Sequence, residues 1–189
     1  MRHLEVAEAT ASPFLRFGGM VLVVDMVNST GITEHFVKSG PDGAERLGAL
    51  LNDYFGRAFE IAERHGGDVL RIDGDAMVLC WENADTDREV ARPLAAALEL
   101  RDTFAGWQPE PGVVFGQRLT LAWGSMVGMV LGRDEAPRTF AFVGTPMREI
   151  AVTSPQGAAN EITVCESAVG RLQKAAKLVR GEDKIPRVL

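Results

Sequence analysis

Residues 20–36 read MVLVVDMVNSTGITEHF, and the fold follows from how this stretch is parsed. Met20 to Val24 form an unbroken apolar run rich in β-branched residues, the pattern of a strand buried on both faces. Asn28-Ser29-Thr30 then supplies residues that cap a helix start. Between the two lies Asp25, an acid at the end of an apolar strand, where ionisation is costly unless a cation or hydrogen-bond donor meets it.

Outward from this stretch, Leu47, Leu50, Leu51, Tyr54, Phe55, Ala58, Phe59, Ile61 and Ala62 recur at helical spacing. Pro41 before them and Gly66-Gly67 after His65 punctuate a helix over about 41–65. DVLRI and AMVLCW flank Asp73-Gly74-Asp75, a tight β-hairpin. Residues 84–106 return to helical period. RLTLAWG (118–124) and SMVGMVLG (125–132) predict two strands, and FAFVG (140–144) a shorter one. A helix over 145–153, the strand EITV and a helix near 166–177 complete the chain. The order β-α-α-β-β-α-β-β with a short mixed tail predicts an α+β fold. It has a ferredoxin-like, palm-like βααββαβ core, with a mixed antiparallel sheet and helices packed on it. Residues 1–17 are expected to be an N-terminal arm and 18–189 one domain.

Composition bounds the possibilities. With 189 residues, 46% apolar and 24% charged, the chain suits a single globular unit. Such a unit buries about 70% of its unfolded surface without staples. A net charge of −6 argues against a nucleic-acid polymer as partner, since phosphates are met by clustered Lys and Arg. Cys80 and Cys165 are too few for a disulfide framework, and no CxxC pair offers a zinc site. No apolar run approaches the ~18 residues of a membrane span. A soluble, cytoplasmic protein without a membrane partner is expected. His3, His35 and His65 lack metal-ligand spacing. Trp81, Trp107 and Trp123 are expected in packing.

Asp25 and Asp75 are the candidate chemistry. Two acids leaving adjacent strands at one end of a sheet can hold hard cations such as Mg²⁺, which accepts a few carboxylates plus substrate phosphates. Beside them the amides of Val27, Asn28, Ser29 and Thr30 open a helix, a natural anion site. Carboxylates for metal next to amides for phosphate point to a nucleoside triphosphate. The bland alternative makes Asp25 a helix cap and Asp75 a turn residue.

Four ordered motifs resemble the class III nucleotide cyclases: 21–36, 50–81, 118–132 and 140–167. The resemblance implies that Asp25, Asp75 and the Met26 carbonyl hold two Mg²⁺ or Mn²⁺ ions. It also implies that Arg118, six residues before Gly124, contacts the triphosphate. The family places an asparagine and an arginine four residues apart on the helix after the VG turn; here those positions are Arg148 and Val152. Its base-reading pair falls on Arg71 and Ala141, which match neither the adenine nor the guanine pattern. Three readings follow. One is an active cyclase for an unusual base, with Arg148 supplying the missing cation. Another is a degenerate nucleotide-binding module, or the metal-donating half of a heterodimer. In the third, RIDGDAM resembles the hairpin of diguanylate cyclases, although Ala76 stands where that motif needs an acid. The first is favoured. It implies a head-to-tail homodimer, with a pyrimidine base preferred as in some bacterial relatives.

Overall fold

The computed structural model describes residues 14–84, 86–131 and 139–189. Strand β1 (Phe14–Met26) leads into α1 (Ser29–Lys38) and the long α2 (Gly43–Arg64). The hairpin β2 (Asp68–Asp73) and β3 (Ala76–Glu82) is followed by α3 (Asp87–Phe104). Then come β4 (Gln117–Leu131), β5 (Thr139–Gly144), α4 (Thr145–Thr153) and β6 (Ile162–Val164). Helix α5 (Glu166–Leu172) and the strands β7 (Leu178–Arg180) and β8 (Pro186–Val188) close the chain. The expected α+β architecture is the observed one: an eight-stranded, mostly antiparallel sheet in the order β2-β3-β1-β4-β6-β8-β7, with β5 on the far end of β4.

Three features differ from expectation. Phe14 to Phe17, read as part of an N-terminal arm, are the first residues of β1 and pair with Met129 to Met126. Residues 1–13 lie outside the described chain. The two strands expected over 118–132 are one strand of 15 residues, because Gly124 and Ser125 do not form a turn. Gly124 instead permits close approach: a Cβ there would stand 3.0 Å from Pro146 Cδ at the start of α4. Helix α5 ends at Leu172, short of the expected 177, and the β7–β8 hairpin that follows adds two short strands at one edge.

β1 is buried on both faces, which explains its lack of polar alternation. One face carries Met20, Leu22 and Val24, on which Ile32 and Phe36 of α1, Tyr54, Ala58 and Ile61 of α2 and Leu94 and Leu100 of α3 pack. The opposite face carries Val21, Val23, Val78, Cys80 and Phe142, with Ile150 of α4 against them. Local signals agree with these elements. Thr86 and Glu89 form a reciprocal capping box at the start of α3. Gly74 takes a φ of +62° in the β2–β3 turn, where a left-handed residue is needed. His65 ends α2 with its Nε2 2.6 Å from Glu99, and its carbonyl accepts the Trp81 indole N–H at 3.0 Å.

A buried polar network fixes the start of β4. Gln117 is fully buried and pairs with Met26 in register. Its side-chain amide donates to the Leu100 carbonyl at 2.7 Å and accepts from the Tyr54 hydroxyl at 3.4 Å. The Asn160 backbone N–H donates to the Gln117 carbonyl at 2.6 Å. Replacing Gln117 by leucine removes the acceptor of the buried Tyr54 hydroxyl and a second bond to the Leu100 carbonyl, at about 1–3 kcal/mol for the orphaned hydroxyl. Gln117→Leu is therefore expected to lower unfolding free energy by about 1–3 kcal/mol in urea titrations, and a change under ~0.5 kcal/mol would contradict the network.

Candidate active site

The site is built at one end of the central strands. Asp25, next to last in β1, pairs across the sheet with Ala76 of β3 and Arg118 of β4. Asp75 sits in the β2–β3 turn, and its carbonyl accepts the Met26 N–H at 3.3 Å, tying the turn to the end of β1. The two acids are thus held together by register rather than by chain proximity. Arg118 Nη2 lies 3.1 Å from Asp25 Oδ2, with both side chains about a quarter exposed. The buried Nε of Arg118 has no hydrogen-bond partner. Burial pushes the Asp25 carboxyl above its ordinary range; the Arg118 guanidinium opposes this and the Asp75 charge adds to it. The buried Tyr54 phenol is raised as well, by burial first and then by the charges of Asp25 and Asp75.

A groove of about 520 Å³ opens beside these acids, bounded by Gly74 and Asp75 on one side and by Ser29, Thr30 and Thr33 of α1 on the other. Asn28 precedes α1 with φ +62° and ψ +32°, and its side chain makes no capping hydrogen bond. The first intrahelical bond runs from the Ile32 N–H to the Asn28 carbonyl, so the earlier amides of α1 precede the helical ladder. Val27 departs from expectation: its N–H donates to the Gly116 carbonyl at 2.8 Å, because the chain after β1 still runs beside the entry to β4. The amides at the open end of α1 are therefore those from Asn28 onward.

The donor set suits a hard divalent cation. Two carboxylates and a backbone carbonyl leave room for substrate oxygens, as Mg²⁺ requires. Among the described residues no group of three or more His, Cys, Asp or Glu side chains is placed to hold a metal alone.

The remaining candidates stand elsewhere. Arg148 and Val152 are four residues apart on α4, on the exposed side of a helix whose Ile150 packs on the sheet. They line a separate shallow cavity with Thr153 and Cys165. Arg71 leaves β2 on the less covered face of the sheet, its guanidinium carbon 4.9 Å from the centre of the Phe142 ring. Phe140 and Phe142 belong to the cluster on that face, so strand alternation sends Ala141, between them, to the opposite face. Arg71 thus meets Phe142 and Asp73 rather than Ala141. Sequence reading missed both partners. The two-residue strand period places Asp73 beside Arg71, and it was the signal available. Tyr54 and Gln117 were likewise missed as polar neighbours of the acids; Tyr54 was counted as a core position, although it is the only tyrosine in the chain. Cys80 is buried, and that burial pushes its thiol up to about 12.

The candidate groups thus sit on a helix-covered, palm-like sheet with two acids at adjacent strand ends. No family model matches the chain. It is 27% identical over 150 residues to adenylate cyclase type 10 of Mus musculus, covering 77% of this chain and 9% of that protein. The chain therefore spans about a tenth of the length of the curated relatives it matches. Its fold resembles the adenylyl cyclase CyaB from P. aeruginosa, with a TM-score of 0.75, 15% identity and coverage of 93% of this chain and 95% of that one. A dimeric guanylyl cyclase domain of the RhoGC fusion protein from Blastocladiella emersonii gives a TM-score of 0.76, with 18% identity and coverage of 93% and 98%. At these identities the likeness to solved structures shows the fold, which is that of adenylyl and guanylyl cyclase catalytic domains.

The raised Asp25 carboxyl has a signed consequence for stability. Between the ordinary aspartate value of 3.8 and the raised value, the folded chain holds more protons than the unfolded chain, so stability falls as pH rises through that window. Asp25→Asn lacks this step. The difference in urea midpoint, native minus variant, is expected to decline from pH 3.5 upward and then level off (~0.5 pH steps to neutrality resolve it). A flat or rising difference would refute the assignment.

Proposed function

We propose that this domain converts a nucleoside triphosphate into its 3′,5′-cyclic monophosphate and pyrophosphate. The observation that carries the reading is the register that sets Asp25 against Arg118 while tying Asp75 to the end of β1. In the reaction the ribose 3′-oxygen bonds to the α-phosphorus, the bond from that phosphorus to the β-phosphate oxygen breaks, and the hydroxyl proton leaves to solvent. Asp25, Asp75 and the Met26 carbonyl would hold two Mg²⁺ or Mn²⁺ ions. Divalent ions so held neutralise the triphosphate and acidify the attacking hydroxyl. Arg118 grips phosphate oxygens in a charge-assisted fork, and its unpartnered Nε supports that role. The α1 amides beyond Asn28 orient the triphosphate.

The other half of the site comes from a second copy. Arg148 is exposed and lines a cavity of its own, which supports a head-to-tail homodimer in which Asp25 and Asp75 face the partner's Arg148. The base is met by Arg71, which offers donors and no acceptor. With Ala141 on the opposite face, Arg71 leaves the adenine amino group unmet, at a cost of about 1–3 kcal/mol. The order of preference is UTP or CTP, then GTP, then ATP. The second reading, a nucleotide-binding module or the metal-donating half of a heterodimer, is favoured by Val152, which stands 66% exposed where the family carries an arginine.

Product analysis with ATP, GTP, CTP and UTP, each with Mg²⁺ or Mn²⁺, tests the reading directly. Robust cyclic AMP formation with UTP and CTP both inert overturns the base preference. Triphosphate binding with no product from any of the four favours the second reading. Asp75→Asn is expected to abolish turnover and sharply weaken metal-dependent triphosphate binding, with circular dichroism unchanged; unaltered binding makes Asp75 a turn residue only. Mixing inactive Asp25→Ala and Arg148→Ala chains is expected to restore up to about a quarter of native activity, one composite site in four at random pairing. No recovery in verified heterodimers contradicts shared sites.

A further inference from the structure

Arg71 and Asp73 stand two residues apart on the edge strand β2, so both side chains leave the same face of the sheet. The Arg71 Nε–H donates to Asp73 Oδ2 at 2.6 Å, and Nη2 closes on the same oxygen. The flat face of the guanidinium lies over Phe142. Phe142 is itself fixed: it is buried, pairs with Gly128 in register, and has the Phe140 ring 6.2 Å away. A Cβ on Gly128 would meet the Phe140 ring at 2.4 Å, so the shelf beneath Arg71 is closely packed.

A guanidinium carries five N–H donors. Asp73 occupies the edge formed by Nε and Nη2, and Phe142 covers one face. The outer edge, Nη1 with the remaining Nη2 hydrogen, is the one these two partners leave uncovered. A half-exposed ion pair does little by itself, but here it acts together with a cation–π contact on a long, otherwise free side chain. The carboxylate also cancels the charge of Arg71, so a ligand meets an oriented set of donors rather than a mobile cation.

We propose that Asp73 is a specificity-determining positioning residue: it holds Arg71 on Phe142 with only the outer guanidinium edge offered to the nucleobase. This rests on the reading of Arg71 as the base-facing group. A donor edge held in place accepts a base that turns acceptors toward it. It rejects a base with an amino group there, because donor meets donor with no freedom to swing aside. Released from Asp73, Arg71 tilts away and tolerates both. Arg71 therefore acquires its selectivity from a residue two positions along the strand.

The test compares native protein, Asp73→Ala and Asp73→Asn by kcat/KM for all four triphosphates. The ratio of best to worst nucleotide is expected to fall at least tenfold in Asp73→Ala, chiefly through a higher KM for the preferred nucleotide. Asp73→Asn keeps an acceptor oxygen without the charge and is expected to fall between. An unchanged ratio, or an equal loss for every nucleotide, overturns the proposal. Should Asp73→Ala fail to fold, Asp73→Asn decides on the same criterion. Should the native chain form no cyclic product, the cyclase reading fails, and the four nucleotides are ranked by calorimetric binding with Ca²⁺ in the same proteins. A rank order that flattens in the variants supports the clamp; an identical rank order overturns it. A native chain that binds none of the four overturns both readings.

Discussion

The pairing of β1 with β4 is the constraint on which the rest of this domain depends. Thirteen consecutive positions pair antiparallel, from Phe14 with Met129 to Met26 with Gln117. Slipping that register by one residue would exchange the two faces of β1, sending Leu22 and Val24 away from the helices and moving Asp25 off Arg118. Burial on both faces makes such a slip prohibitive, so the placement of the charged site is enforced by apolar packing well away from it. Gln117 secures the final rung with hydrogen bonds to three different segments.

At the end of that ladder the chain accepts an electrostatic penalty. Asp25 is partly desolvated and sits near a second acid, and both effects disfavour its charge. Arg118 compensates from the neighbouring strand, but only in part. A pair of acids with one arginine and a helix N-terminus beside an open groove is poorly explained by stability alone. It is well matched to a ligand that brings its own cations and anions together, as a metal–triphosphate complex does.

The same sheet carries a second set of groups on its less covered face. Arg71, Asp73 and Phe142 meet there across strands β2 and β5, which are not neighbours in the sheet. Arg148 and Val152 project from α4, which packs its Ile150 on that same face and opens a cavity apart from the acids. The two sets are separated within one chain, and head-to-tail pairing of two chains provides a physical means of joining them. The fold shared with adenylyl and guanylyl cyclase domains thus accounts for the scaffold, while Arg71 and Arg148 lie away from the two acids.

Much of this protein was legible in its residues. Unbroken apolar strands, capping residues, helical periodicity and the Asp73-Gly74-Asp75 turn are local or short-period signals, and they identified the α+β order and the two acids. Gly124 misled, because a glycine that ends a strand and one that lets a helix approach look alike without the neighbouring Pro146. Other features depend on which strands pair and on which face each residue emerges, and these were decided only in three dimensions. Arg118 reaches Asp25 from 93 residues along the chain through register alone. Val27 loses its amide to Gly116 because β1 and the entry to β4 run side by side. Ala141 and Phe142 are adjacent in sequence, yet strand alternation gives Arg71 the second and not the first. Sequence determined the elements and the chemical types, since those rest on local preference and burial pattern. Tertiary structure decided the partnerships, since they depend on the register and facing of strands distant in the chain.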